Sequence, residues 1–167
     1  AGGSDMPPLD IGDPELDRVA DGIALVAERL AKMIVEDGEG ASRVMELIVT
    51  GAETDEHAQK IARTVACSSL VKTALAGGDP NWGRILAAAA NADVPIAIES
   101  VSLDIGGVMV FDNGGPLVVE QALLDSMFSQ ENVRVVLDLG SRGKASARML
   151  TSDLTAQYVA INSEYTT

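Results

Sequence analysis

Ser69 to Arg84 reads SLVKTALAGGDPNWGR, and the rest of the chain is organised around it. An apolar, helix-compatible run breaks at Gly77 and Gly78. Asp79, Pro80, Asn81, Trp82, Gly83 and Arg84 are then crowded into one polar turn. Trp82 is the single tryptophan of a chain with two tyrosines and two phenylalanines. An indole joins an apolar body to a polar N–H and anchors rigid surfaces, so the turn reads either as a shaped pocket wall or as a structural clamp. If Gly83 opens the Ala-rich helix that follows to about Asn91, its first-turn amides point toward Asp79 to Asn81. Those amides can bind an anion or polar substrate, or be satisfied by Asp79 acting as the cap.

Upstream, residues 1 to 12 read as an extended lead-in that begins at Ala1, as expected of a processed chain or a piece of a longer one. Asp13 is placed as an N-cap with Pro14 at the first helical position. Leu16, Val19, Ile23, Val26, Leu30 and Ile34 follow at steps of three and four, one stripe of an amphipathic helix over 14–35. Gly22 inside it costs about 1 kcal/mol relative to Ala. Two glycines then bracket Glu39 in Asp37-Gly38-Glu39-Gly40-Ala41, where unusual backbone angles and close approach are allowed. That carboxylate is either solvated, or caps local backbone, or is presented to a cationic ligand. A strand is predicted from Arg43 to Thr50, a turn over Gly51 to Glu53, and a helix capped by Thr54 with Ala58, Ile61, Ala62 and Val65 on its packed face. His57, the lone histidine, reads as a surface or capping residue rather than a base. Cys67 reads as a small buried hydrophobe rather than a nucleophile.

Downstream, strands are expected at Ile96–Ile98, Val101–Asp104 and Val108–Phe111, with Gly106-Gly107 turning between two of them and Asp112 to Gly115 closing the run. Pro116 is expected to open a short helix using Val119, Ala122, Leu123 and Met127. Val133, Val135, Leu137 and Leu139 alternate on one face of a strand over 132–139. The turn at Gly140 to Gly143 predicts a hairpin into Lys144–Leu150. Asp153 is expected to cap a last helix through Asn162, with Leu154, Tyr158 and Val159 turned inward, and the polar end is expected to fray. This order predicts a mixed α/β layered sandwich rather than a helical bundle or a doubly wound sheet.

At 167 residues the chain can bury one core. A formal charge of −13 opposes binding to a nucleic-acid backbone, which needs a basic field. Locally basic pockets remain available, since Lys72 and Arg84 flank the opening stretch and Arg134, Arg142, Lys144 and Arg148 gather later in the sequence. One cysteine cannot form an internal disulfide, and one histidine cannot make a His-rich metal site. No apolar run approaches bilayer length, and the beginning shows no signal-peptide pattern. The expectation is a soluble, acidic, cytoplasmic protein.

The candidate site residues are Glu39, Lys72, Asp79, Asn81, Arg84, Asn162 and the terminal threonines. A simple hydrolase needs a nucleophile beside an activating base, and no Ser or Thr shows one. An N-terminal-nucleophile enzyme uses a chain-terminal Thr whose own amine is the base, and this sequence begins with Ala1. Two classes stand: part of a two-chain enzyme, or a non-catalytic domain that binds an amino-acid-like ligand. Metal-dependent catalysis is the weaker third, because the carboxylates show no ligand spacing.

Three stretches, DGEGASR at Asp37–Arg43, SLVKTALAGGDPNWGRI at Ser69–Ile85 and DLTAQYVAINSEYTT at Asp153–Thr167, together resemble the C-terminal half of glutamate N-acetyltransferase (ornithine acetyltransferase). The resemblance runs through most of residues 14 to 167. It implies an N-terminal-nucleophile-like precursor that cuts itself before a threonine. That threonine carries the acetyl group from N-acetylornithine to glutamate in arginine biosynthesis. It also implies an upstream chain, a Thr-initiated segment and a heterotetramer of two chain pairs. No cofactor is implied, with acetyl-CoA as an alternative donor in some members. Within such an enzyme, 14–92 would complete the main α/β domain and 93–167 form a smaller α/β region with a substrate-contacting tail. Residue by residue, Glu39 matches the family's active-site glutamate, and Asn162 and Thr167 match its C-terminal substrate-contact pair. Asp79, Asn81, Trp82 and Arg84 would shape the site, and Lys72 could attract a carboxylate, a role the resemblance does not establish. The nucleophilic threonine is absent from these residues, so the chain alone is expected to be inactive. A relative from secondary metabolism, such as clavulanic acid formation, fits the same motifs.

Overall fold

The computed structural model describes residues 9–164 apart from Ser129 and Arg142. Two compact units divide between Ile34 and Val35. Most described residues of the first belong to helix α1, Pro14–Glu36, whose last two residues fall in the second unit. The helix starts where the sequence predicts: the Asp13 carboxylate accepts the Glu15 amide at 2.9 Å, and Glu15 and Asp17 place negative charge beside the helix N-terminus. No residue of α1 is buried, and its whole apolar stripe from Leu16 to Ile34 is exposed.

The second unit is built on a six-stranded sheet. Its strands are β1 (Val44–Ala52), β2 (Ser102–Ile105), β3 (Val108–Asp112), β4 (Gly115–Pro116), β5 (Asn132–Asp138) and β6 (Ala145–Ser152), in the order β4-β3-β2-β5-β1-β6. β1 therefore comes from the first of the two portions expected above and the other five strands from the second. Helices α2 (Asp55–Ala66), α3 (Ser69–Gly77) and α4 (Trp82–Ala90) follow β1, α5 (Gln121–Ser126) precedes β5, and α6 (Ala156–Glu164) follows β6. Met45, Leu47 and Val49 on β1 and Val133, Val135 and Leu137 on β5 are all buried, because a period of two sends alternate side chains to one face. They join Ala58, Ile61, Ala62 and Val65 of α2 in one core. The opposite face of β1 is only half covered and carries Glu46, whose carboxylate pairs with Arg148 of β6. The result is the mixed α/β layered fold that the element order predicts.

The structure corrects several local expectations. Strand β6 does not form a hairpin with β5. It pairs antiparallel with β1 (Val44 opposite Ser152), while β5 pairs parallel with the other edge of β1 (Val44 opposite Asn132). β1 is thus flanked on both sides, and its neighbours are not adjacent to each other. β1 also runs two residues past Thr50, through a register shift at Gly51, whose φ is +73°. Residues 96–98 form no strand. Ile96 packs on the core from a loop, and Ile98–Ser100 is a single 3₁₀ turn closed by the Ser100 amide on the Ala97 carbonyl. Pro116 ends the edge strand β4, where its missing N–H costs nothing, and α5 begins only at Gln121. Cys67 is exposed, at the C-cap of α2 and out of phase with the buried stripe. Tyr158 and Val159 of α6 are exposed rather than turned inward, and α6 buries no residue.

Candidate functional site

Glu39 sits on a tight turn between α1 and β1. The Ala41 amide donates to the Gly38 carbonyl at 2.9 Å, and Gly40 in the third position has φ +65°, the pattern of a type II turn. Glycine is needed there twice over. The positive φ disfavours any side chain, and a Cβ on Gly40 would lie 2.8 Å from the backbone nitrogen of Tyr158. Helix α6 therefore approaches this turn backbone to backbone.

That approach brings together two residues 123 positions apart. Asn162 Nδ2 donates to Glu39 Oε2 at 3.1 Å and to the Tyr158 carbonyl, one helical turn earlier, at 2.9 Å. Both residues are exposed, so the pair faces solvent or a ligand. Thr155 begins α6: its Oγ1 accepts the Tyr158 amide at 3.2 Å, the usual cap bond to the third helical residue, and donates to the Gly40 carbonyl at 2.7 Å. Asp153, expected to cap α6, is employed elsewhere. It is 4% exposed, its Oδ1 accepts the Ser42 amide at 2.9 Å, and its Oδ2 accepts the Ser42 hydroxyl at 2.5 Å. Its own amide donates to the Arg43 carbonyl at 2.9 Å. Two oxygen acceptors both satisfied make this burial tolerable.

Arg43 carries the connection to the stretch from Ser69 to Arg84. Its Nη1 donates to the carbonyls of Ala76 (2.9 Å) and Leu75 (3.3 Å) at the end of α3, and its guanidinium lies 5.9 Å from the Phe128 ring centroid. A cation there also suits the negative end of the helix dipole. α3 ends in a Schellman motif: Gly78 at φ +64°, its amide on Leu75 O, and the Asp79 amide on Ala74 O. The amides opening α4 are taken by Asn81, whose Oδ1 accepts the Arg84 amide at 3.0 Å. Asp79 is not the cap and instead accepts from Asn81 Nδ2 at 3.0 Å. Arg84 Nη1 donates back to the Leu70 carbonyl at 3.0 Å, and the Trp82 and Phe111 rings stack obliquely with centroids 5.4 Å apart. Arg84 thus ties α4 back to α3, Asp79 and Asn81 brace the turn between them, and Trp82 packs the start of α4 on β3. Lys72 is half-buried, and its carbonyl accepts the Leu154 amide at 3.2 Å. The β6–α6 connection therefore touches α3 as well as the Glu39 turn.

Beside the turn, Glu36, Ala41, Ser42, Arg43, Val44, Glu131 and Asn132 line a polar cavity of about 350 Å³ where β1 and β5 begin. Thr167 and Arg142 lie outside the described residues. Among the described residues, no three His, Cys, Asp or Glu side chains gather as metal ligands, and no helix is long and apolar enough to cross a membrane. Ser42, Arg43, Asp153 and Thr155 were not singled out as site residues from sequence. Each stands inside one of the three resembling stretches, but their bonds join segments more than 100 residues apart, or a strand to a helix.

A family model described as the ArgJ family matches residues 3–167. The chain is 52% identical over 143 residues to a Rhodopirellula baltica protein named arginine biosynthesis bifunctional protein ArgJ, covering 85% of this chain and 35% of that protein. An Oceanobacillus iheyensis protein of the same name is 42% identical over 159 residues, covering 95% of this chain and 39% of its own length. The chain thus spans little more than a third of these curated relatives. Among solved structures, the arginine biosynthesis bifunctional protein ArgJ of Bacillus halodurans matches with a TM-score of 0.90 and 31% identity, over 96% of this chain and 75% of that one. The mixed α/β layered fold is shared with that structure and is consistent with an N-terminal-nucleophile family fold.

Proposed function

The chain belongs to the ArgJ family, and from that premise we propose that it is part of an acetyltransferase moving the acetyl group of N-acetylornithine to glutamate in arginine biosynthesis. The observation that carries this reading is the Asn162–Glu39 hydrogen bond at 3.1 Å, which unites two residues that the resemblance assigns to substrate. In the exchange, a threonine hydroxyl on another segment attacks the acetyl carbonyl, the C–N bond breaks, and ornithine leaves with the proton on its amine. The glutamate amine then attacks the acetyl-threonine, the C–O bond breaks and the hydroxyl is restored. Glu39 holds the charged end of ornithine. Its Oε2 is oriented by Asn162, and among the described residues its Oε1 has no hydrogen-bond partner, leaving it available to an ammonium. Thr167 would add a hydroxyl contact, and Asp79, Asn81, Trp82 and Arg84 would rigidify the rim. Lys72 would offer a charge to a substrate carboxylate. Acetyl-CoA would be an alternative donor, and no bound cofactor is required.

The same reading assigns partners and place: the upstream chain and the Thr-initiated segment of one self-cleaved precursor, in a cytoplasmic heterotetramer of two chain pairs. The exposed stripe of α1 supports a partner, because a contiguous apolar face on a helix marks an interaction surface. Within the assembly, 14–92 would complete the main α/β domain and 93–167 supply the smaller region and the tail.

The test is Glu39→Ala in the full-length protein, assayed for acetyl exchange between N-acetylornithine and glutamate. A fall of about 100-fold is expected, the scale of losing a strong electrostatic contact to the reacting complex. Near-wild-type exchange would remove Glu39 from the mechanism. If the wild-type protein binds ornithine without transferring acetyl, the chain is a non-catalytic amino-acid-binding domain. Transfer confined to an acceptor other than glutamate would point to secondary metabolism.

A further inference from the structure

Neither partner of the Glu39–Asn162 pair is anchored by a buried apolar side chain of its own element. Glu39 stands exposed between two glycines, and α6 has no buried residue. Polar ties between the Glu39 turn and the chain around α6 therefore weigh heavily on the distance between them. We propose that Thr155 and Asp153 are positioning residues that latch the Glu39 turn to α6 and so fix Glu39 against Asn162; this rests on the reading that the pair holds substrate.

The Thr155 hydroxyl works at both ends of its bond. It donates to the carbonyl of Gly40, the residue next to Glu39, and accepts the amide of Tyr158, whose carbonyl in turn takes the Asn162 side chain. One hydroxyl thus links the backbone of Glu39's turn to the helical turn that aims Asn162. Asp153 secures the other side of the same loop. Its two oxygens grip Ser42 and its amide grips Arg43, so the chain entering α6 is fixed to the chain leaving the Glu39 turn. Asp153 is the single buried polar or charged residue among the described residues. A carboxylate withdrawn from water is costly unless bonded, and both of its oxygens are spent on this loop. The close approach at Gly40 leaves no slack for α6 to shift without breaking these bonds.

The test uses the full-length protein. Thr155→Val removes the hydroxyl at nearly constant volume, and Thr155→Ser keeps it. Asp153→Asn, which retains one acceptor, serves as a second probe of the same loop. Thr155→Val should lower kcat/KM for N-acetylornithine by about 10- to 100-fold, the scale of misplacing a substrate-holding group, and Thr155→Ser should restore most of it. In a Glu39→Gln background the Thr155→Val loss should shrink to about twofold or less, because residues acting as one unit are not additive. Amide exchange should quicken together in residues 37–42 and 156–162 of Thr155→Val and Asp153→Asn. Unchanged exchange in both segments overturns the latch itself. Quickened exchange with Glu39→Gln at the wild-type rate overturns the substrate reading instead. An equal Thr155→Val loss in both backgrounds shows that Thr155 does not act through Glu39, and overturns the proposal.

Discussion

Gly40 illustrates how much one residue decides. The sequence marks it as half of a Gly-Glu-Gly turn and allows it an unusual φ. The structure adds that Tyr158's backbone nitrogen occupies the space a side chain would need. Gly40→Ala therefore meets two penalties, a strained φ of about 1–3 kcal/mol and displacement of α6. It should lower the unfolding midpoint and separate Glu39 from Asn162. The check is thermal unfolding together with exchange kinetics, and a variant with unchanged stability and rate would mean the turn can relax. Asp153 shows the reverse case. Its sequence context, an acidic residue before a helix, favours a cap, yet its carboxylate serves a serine 111 residues away. A local rule had a partner to offer, and a more distant one, Ser42, took its place by bonding both oxygens of the buried carboxylate.

At the scale of elements, helices were legible where the signals were local. Asp13, Thr54 and the paired Gly77-Gly78 mark ends that the structure reproduces, because caps and αL stops depend on neighbours within four residues. The cap of α4 is harder to read for a local reason as well: both Asp79 and Asn81 are good caps, and only Asn81 reaches the Arg84 amide, so the helix starts at Trp82, one residue before Gly83. Asn81→Ala should accordingly cost about 1 kcal/mol of stability, read as a shift in denaturant midpoint at constant slope. No shift would mean that Asp79 substitutes. Strand pairing was less legible. Alternation identified β5 and placed its buried face, but says nothing of which strand lies alongside. The supposed hairpin is in fact two strands on opposite edges of β1. The three apolar residues at 96–98 gave a strand signal too short to distinguish a sheet edge from a loop packed on the core.

For the whole molecule, the chain's apolar surface is unevenly distributed. The second unit closes a core around β1, β5 and α2, whereas α1 leaves Val19, Ile23, Val26 and Leu30 between 48% and 65% exposed. A stripe of this size on a chain that spans about a third of its relatives is expected to lie against the rest of the family polypeptide. Replacing Ile23 and Leu30 with Ser should weaken that association by roughly 2–4 kcal/mol in total, from the share of each side chain, 65% and 53%, still open to burial. Co-purification of this chain with the rest of the family polypeptide, supplied as a separate chain, should then fall sharply, while the second unit keeps its circular dichroism. Undisturbed co-purification would exclude α1 as the contact.

The sequence by itself determined the long first helix, the presence of β1, the buried faces of β5 and α2, the Gly-bracketed Glu39, and the three stretches that mark the family. All of these depend on periodicity, capping or residue identity within a short window. Only the tertiary structure decided that β6 crosses to the far side of β1. The same holds for the DPNWGR turn, which clamps two helices, and for Asp153 and Thr155, which tie Glu39 to Asn162. Those outcomes depend on contacts between segments distant in sequence, where hydrogen-bond partners and steric room are set by the packed fold rather than by the neighbouring residues.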